Sequence, residues 1–179
     1  MNKLLIFLVF AFVSCSLPLA QRLTTPNYNT TRDEGHEDNS KILRGVINRS
    51  IIEADTAFKW FADNMKYANV DANAIKVFEK NKEKFSLLVF GGTWCSDTKV
   101  LLSQFYKLID KSGFPNNKIY LIGVDRAKTT INNLHTTYNI LNVPTFIVLK
   151  NNVEIGRVVE YGKTGAIDKE LADIVSKIE

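Results

Sequence analysis

The continuous apolar run Phe85-Ser86-Leu87-Leu88-Val89-Phe90 ends in Gly91-Gly92 and passes at once into Trp94-Cys95-Ser96-Asp97-Thr98. A run of this length and texture reads as a central strand buried on both faces. The residues that follow, from Lys99 to Lys111, set Leu101, Leu102, Phe105, Leu108 and Ile109 on one helical face. Gly113-Phe114-Pro115-Asn116-Asn117 then breaks the helix. A strand that feeds a helix through one cysteine-bearing turn restricts the chain to architectures with helices packed on a sheet.

The rest of the C-terminal half extends that pattern. Ile119–Val124 is a second buried strand, Asn132–Tyr138 a helix, and Val143–Leu149 a third strand. Lys150-Asn151-Asn152 is a hairpin-type turn returning Glu154–Glu160 as a fourth strand, and Ala166–Ile178 closes the chain as an amphipathic helix. The crossovers call for parallel strands and the terminal hairpin for an antiparallel pair. The fold class is therefore α/β: a sandwich with a central mixed four-stranded sheet flanked by helices, over residues 85–179. No internal repeat is visible.

Upstream, Ile42, Leu43, Val46, Ile47, Ile51 and Ile52 recur at helical spacing. Phe58, Phe61 and Met65 supply a second stripe and Ala74, Ile75, Val77 and Phe78 a third. Residues 41–84 are accordingly expected to form an N-terminal helical extension packed on the domain. Residues 21–40 are polar and almost without aliphatics, the composition of a flexible linker. Within them Asn29-Thr30-Thr31 fits a glycosylation sequon by chance composition.

The first twenty residues read as a targeting segment. Lys3 precedes the unbroken apolar run Leu4–Val13, which is too short for a spanning helix of about twenty residues and has the form of a signal peptide. Two processing routes stay open. Phe12-Val13-Ser14-Cys15 resembles a lipobox, which would make Cys15 the lipidated first residue of a membrane-anchored lipoprotein. Cleavage after Ala20 would instead release a periplasmic or secreted chain.

Composition narrows the chemistry. The net charge of +4, without a run of five basic residues, offers no nucleic-acid footprint. A 45% hydrophobic content is enough for a conventional core without disulfide stapling. Cys15 and Cys95 are the two cysteines, so the folded domain holds a single thiol. His36 and His135 stand far apart with no cysteine nearby, and no metal-ligand spacing or cofactor motif is present. Asp125 and Arg126, just after the second strand, read as a surface ion pair and turn.

Two separated motifs carry a resemblance. A strand ending before Trp94-Cys95-Ser96-Asp97, a helix starting at the cysteine, and Val143-Pro144-Thr145 opening a hairpin resemble the thioredoxin superfamily over about Phe85–Ile178. The phrase Gly92-Thr93-Trp94-Cys95-Ser96-Asp97-Thr98 is similar to a bacterial, exported subgroup with Trp-Cys-x-Asp-Thr in place of Cys-x-x-Cys. The resemblance implies a cis peptide before Pro144, Pro144 seated against Cys95, and the Val143 backbone left to pair with an incoming peptide. It implies Val143, Pro144 and Thr145 as substrate-binding residues and Cys95, Thr98, Trp94 and Asp97 as the catalytic set.

A cysteine in the first turn of a helix meets unpaired N–H groups and the positive end of the helix dipole, which favour the attacking thiolate. Asp97 opposes it by like charge, with Lys99 as a partial offset. Thr98 stands where a resolving cysteine would be, and its hydroxyl is expected on the Cys95 sulfur. Trp94 shields the thiol and offers partners a surface. By the resemblance, Val89 occupies the place of a buried proton-transfer acid and Ser103 that of a helix proline. The function implied is an exported monothiol thiol–disulfide oxidoreductase, acting on mixed disulfides or oxidised cysteines of exported proteins. A small thiol or the substrate's own second cysteine would resolve the adduct, and the chain would work as a monomer. The alternative is a redox-inactive binding or scaffold module on the same fold.

Overall fold

Ile42, Leu43, Val46 and Ile47 do not lie on a helix: Lys41–Ile47 is a strand of the central sheet. A spacing of four residues is even, so Leu43/Ile47 and Ile42/Val46 each share one face of a strand as readily as one stripe of a helix. The β-branched content of this stretch and its burial on both faces decide for the strand. Leu43 and Ile47 enter one apolar cluster and Val46 the other. The expected helical extension therefore begins only at Arg49, where Asn48 caps the turn by accepting the Ile51 N–H at 3.1 Å.

The computed structural model describes residues 23–34 and 40–178. The signal segment, with Cys15, and His36 lie outside the described residues. The strands are β1 (Asn27–Arg32), β2 (Lys41–Ile47), β3 (Ser86–Gly91), β4 (Ile119–Gly123), β5 (Thr145–Lys150) and β6 (Val153–Val159). The helices are α1 (Arg49–Ala54), α2 (Trp60–Tyr67), α3 (Ala72–Asn81), α4 (Ser96–Ser112), α5 (Leu134–Thr137) and α6 (Ile167–Val175). None of these helices is long and apolar enough to cross a membrane.

The sheet has six strands rather than four, in the order β1-β2-β4-β3-β5-β6. The α/β class with a mixed sheet stands. β3 and β4 are parallel neighbours, and β5–β6 is the expected antiparallel hairpin. The second crossover does not give a parallel pair, because β5 runs antiparallel to β3 on its other side. β1 lies within the stretch read as a linker: all six of its side chains are exposed, and it is held by backbone pairing to β2. A strand of that kind leaves no apolar signature.

Alternation along β3 divides the core. Leu87 and Val89 face the larger cluster under α2, α3, α4 and α6, while Leu88 and Phe90 face the smaller one, with Leu134 of α5. α4 buries Leu101, Leu102, Phe105, Tyr106, Leu108 and Ile109 against the sheet and ends at Gly113, whose φ of 61° is the left-handed cap geometry that glycine adopts without steric penalty. Burial of large aromatics such as Phe78, Phe90, Phe105 and Phe146 stabilises by about 1.5–3 kcal/mol each. The parallel β3–β4 pair and the rigid α4 thus fix the turn between Gly91 and Cys95 at one end of the sheet.

Candidate functional site

The turn is built from backbone bonds and two glycines. The Cys95 N–H donates to Gly92 O at 2.9 Å, and Cys95 is the N-cap of α4, its carbonyl accepting the Lys99 N–H at 3.0 Å. The thiol is free and half-buried. Its Sγ donates to the carbonyl of Val143 at 3.5 Å, and the Val143–Pro144 peptide is cis. No other hydrogen bond engages the Val143 backbone among the described residues. The sulfur stands at the end of a 17-residue helix where the first N–H groups lack intrahelical partners, a setting suited to negative charge. Asp97 lies in the same first turn.

The structure brings Cys95, Trp94 and Val143-Pro144 to one place. Trp94 and Cys95 both pack on the smaller apolar cluster, which contains Val143. The indole Nε1–H of Trp94 donates to Val124 O at 3.0 Å, the backbone just beyond β4. Thr145 is buried and its hydroxyl donates to Asn142 O at 2.7 Å, which closes the turn before β5. Thr98 is buried too, and its hydroxyl accepts the Gly92 N–H at 3.2 Å. The expected bond to the Cys95 sulfur is absent among the described residues.

Asp97 receives a hydrogen bond from the Tyr161 phenol at 3.3 Å. Partial desolvation first, and then the Asp97 charge, that hydrogen bond and the charge of Cys95, push the Tyr161 phenol above its ordinary value. Tyr161 therefore stays a neutral donor to Asp97, and nothing in its sequence context marked it.

Behind the site, Val89 is fully buried among apolar residues. The Ser103 hydroxyl donates back to Lys99 O at 2.9 Å within α4, and the Asn64 amide donates to the same carbonyl at 3.0 Å. This extra bonding at the second turn engages a helical carbonyl from two sides.

Asp125 and Arg126 do not pair with each other. Asp125 accepts from Arg44 Nε at 3.1 Å and from the Thr129 N–H at 2.8 Å, which makes the turn a capped one tied to β2. Arg126 instead forks onto Asp33, its Nε 2.8 Å from both carboxylate oxygens, and lies 4.7 Å from the centre of the Trp94 ring. Asp33, and its pairing with Arg126, were hidden from sequence reasoning. Asp33 and Arg126 are 93 residues apart, and no local pattern links them. His135, in turn, accepts the Thr130 N–H on Nδ1 at 3.2 Å, a structural contact at the α5 turn.

Comparison with known proteins bears on the fold. A protein of unknown function from Pseudomonas aeruginosa shares the fold at 16% identity and a TM-score of 0.56, over 73% of this chain and 92% of its own. An HIV epitope-scaffold matches with 17% identity and a TM-score of 0.53, over 74% of this chain and 91% of its own. The thioredoxin pre-protein of Schistosoma mansoni is 27% identical over 62% of this chain and 94% of its own, with a TM-score of 0.40. The family model for thioredoxin matches residues 69–173, more than half of the chain, from just before α3 into α6, a stretch that carries Cys95 and Pro144. The chain belongs to the thioredoxin family.

Proposed function

We propose that this protein is an exported monothiol thiol–disulfide oxidoreductase that works through Cys95. The observation that carries the reading is the pairing of a free, half-buried thiol at the N-cap of α4 with the otherwise unengaged backbone of Val143, 3.5 Å away. An extended peptide can pair with that backbone while presenting a sulfur to Cys95. The Cys95 thiolate attacks one sulfur of a disulfide, a new S–S bond forms, the old one breaks, and the departing thiolate takes a proton from solvent.

Thr98 cannot complete the cycle, because a hydroxyl forms no disulfide. A second thiol, from a small molecule or from the substrate's own second cysteine, must attack the mixed disulfide. That attack regenerates Cys95 and leaves the outside thiol oxidised, so electrons balance over the cycle. Lys3 and the apolar run Leu4–Val13 support export to a periplasmic or membrane-anchored location, with exported cysteine-containing proteins as substrates.

The fully buried, apolar Val89 favours a second reading, a binding module that retains the scaffold without turnover. One experiment separates the two. The full chain is incubated with oxidised glutathione and with a disulfide-bonded peptide, and adducts are mapped by mass spectrometry. A mixed disulfide on Cys95, formed faster than on the urea-unfolded chain and released by added thiol, is the expected result. Reaction no faster than in the unfolded chain rejects the oxidoreductase.

A further inference from the structure

β4 pairs with β2 only over Gly45–Ile47, and the ladder stops at Gly123. Beyond that point the turn before Cys95 takes over the edge of β2. The Thr93 hydroxyl donates to Lys41 O at 2.7 Å and accepts the Leu43 N–H at 3.2 Å, and Thr93 is buried. Residue 93 is thus bonded into a strand that precedes the family-matched segment 69–173. The same hairpin supplies Asp33, just after β1, and its carboxylate is buried.

A buried carboxylate must be paired, and Arg126 supplies a planar fork that meets both oxygens. Using the edge of the guanidinium for the carboxylate leaves its face for the Trp94 ring, 4.7 Å from the centroid. The indole is restrained elsewhere by Val124 O at its N–H. It is also restrained by Gly92, where an added Cβ would lie 2.6 Å from Cε2 and Nε1. We infer that the β1–β2 hairpin is a working part of the thiol site, in which Asp33, acting through Arg126, is a positioning residue for Trp94. The hairpin fixes the turn through Thr93 and fixes the aromatic wall beside Cys95 through Asp33. Partner engagement by Cys95 then depends on residues more than fifty positions upstream of it.

The inference rests on Cys95 being the reactive group, and its test has one arm that does not. In the full chain carrying Trp60→Phe, Trp94 is the sole tryptophan and reports its own surroundings. Asp33→Asn removes the charge that holds Arg126, and Arg126→Lys keeps the charge but loses the stacking plane. Both are expected to red-shift Trp94 emission and to raise acrylamide quenching about twofold or more, the loss of one cation–π contact. Both should also lower the rate of Cys95 with a disulfide-bonded peptide, relative to its rate with iodoacetamide, by about fivefold. A residue with a merely structural role would lower the melting temperature without moving emission or that ratio. Unchanged emission and quenching in two folded variants overturns the inference. Absence of any Cys95 adduct in the parent chain overturns the redox reading, and the fluorescence arm still decides the positioning role.

Discussion

Thr98 Oγ1 accepts the backbone N–H of Gly92 at 3.2 Å, so the last residue of the motif ties the first turn of α4 back to the exit of β3. The hydroxyl is engaged inside the site rather than offered to the sulfur. Threonine here is a staple for the turn that carries Cys95, with its methyl group packed at Gly91, where an added Cβ would lie 2.9 Å from Cγ2.

Thr98→Val keeps the shape and removes the acceptor, leaving the buried Gly92 N–H without its partner. A loss of about 1–3 kcal/mol is expected in urea unfolding. A variant as stable as the parent would show that the bond contributes nothing to the fold.

Thr98→Cys supplies the missing thiol within the same turn. Under oxidising conditions the variant is expected to close a disulfide between Cys95 and the introduced thiol, seen as the loss of two titratable thiols, and to gain catalytic reduction of insulin. Two thiols that remain free in the folded, oxidised variant would contradict the proposed geometry of the turn.

Gly92→Ala tests the seat of Trp94. The new Cβ would meet the indole at 2.6 Å, and the ring must move away from Val124 O. Overpacking of this kind costs about 1–3 kcal/mol, and Trp94 emission should red-shift in the Trp60→Phe background. Unaltered emission would mean that the ring has another low-energy position.

Tyr106 gives a pH-dependent prediction. It is fully buried, and burial pushes its phenol well above the ordinary value, with nearby Arg49 opposing and Glu53 and Asp110 adding to the shift. A folded-state value above the unfolded value of about 10 gives stability that is complete below that pH and is lost as pH rises beyond it. Tyr106→Phe should therefore flatten the alkaline limb of a stability profile above about pH 10. An unchanged limb would place the alkaline loss on other groups. The ring contacts with Phe61 at 5.5 Å and Phe105 at 5.2 Å are retained by phenylalanine.

The parts legible in the sequence were those whose signals are local. β3 stood out as an apolar run, α4 as a helical stripe, and β5–β6 as two runs around Asn151-Asn152, both of which adopt positive φ in the turn. The motif residues Cys95, Trp94, Val143 and Pro144 do meet at one end of the sheet. The N-terminal hairpin was not legible. The pattern of β2 fits a period of 2 and of 3.6 equally, and β1 buries nothing. The roles of Thr98, Thr145 and Arg126 were hidden for another reason. Each depends on which backbone or carboxylate group the fold brings within 3.5 Å, and residue type alone does not encode that partner.

The polar strand Asn27–Arg32 also governs how the molecule meets its own copies. Without it β2 would be the rim of the sheet, with Ile42, Leu43, Val46 and Ile47 beside a row of open amides and carbonyls. An apolar rim of that kind templates intermolecular pairing and aggregation, which a short outermost strand of asparagine, threonine and arginine around the single Tyr28 blunts. A fragment trimmed to the family-matched residues would remove β1 and β2 together and bare the flank of β4. The hairpin is thus a solubility device that a version cut back past β2 would forfeit.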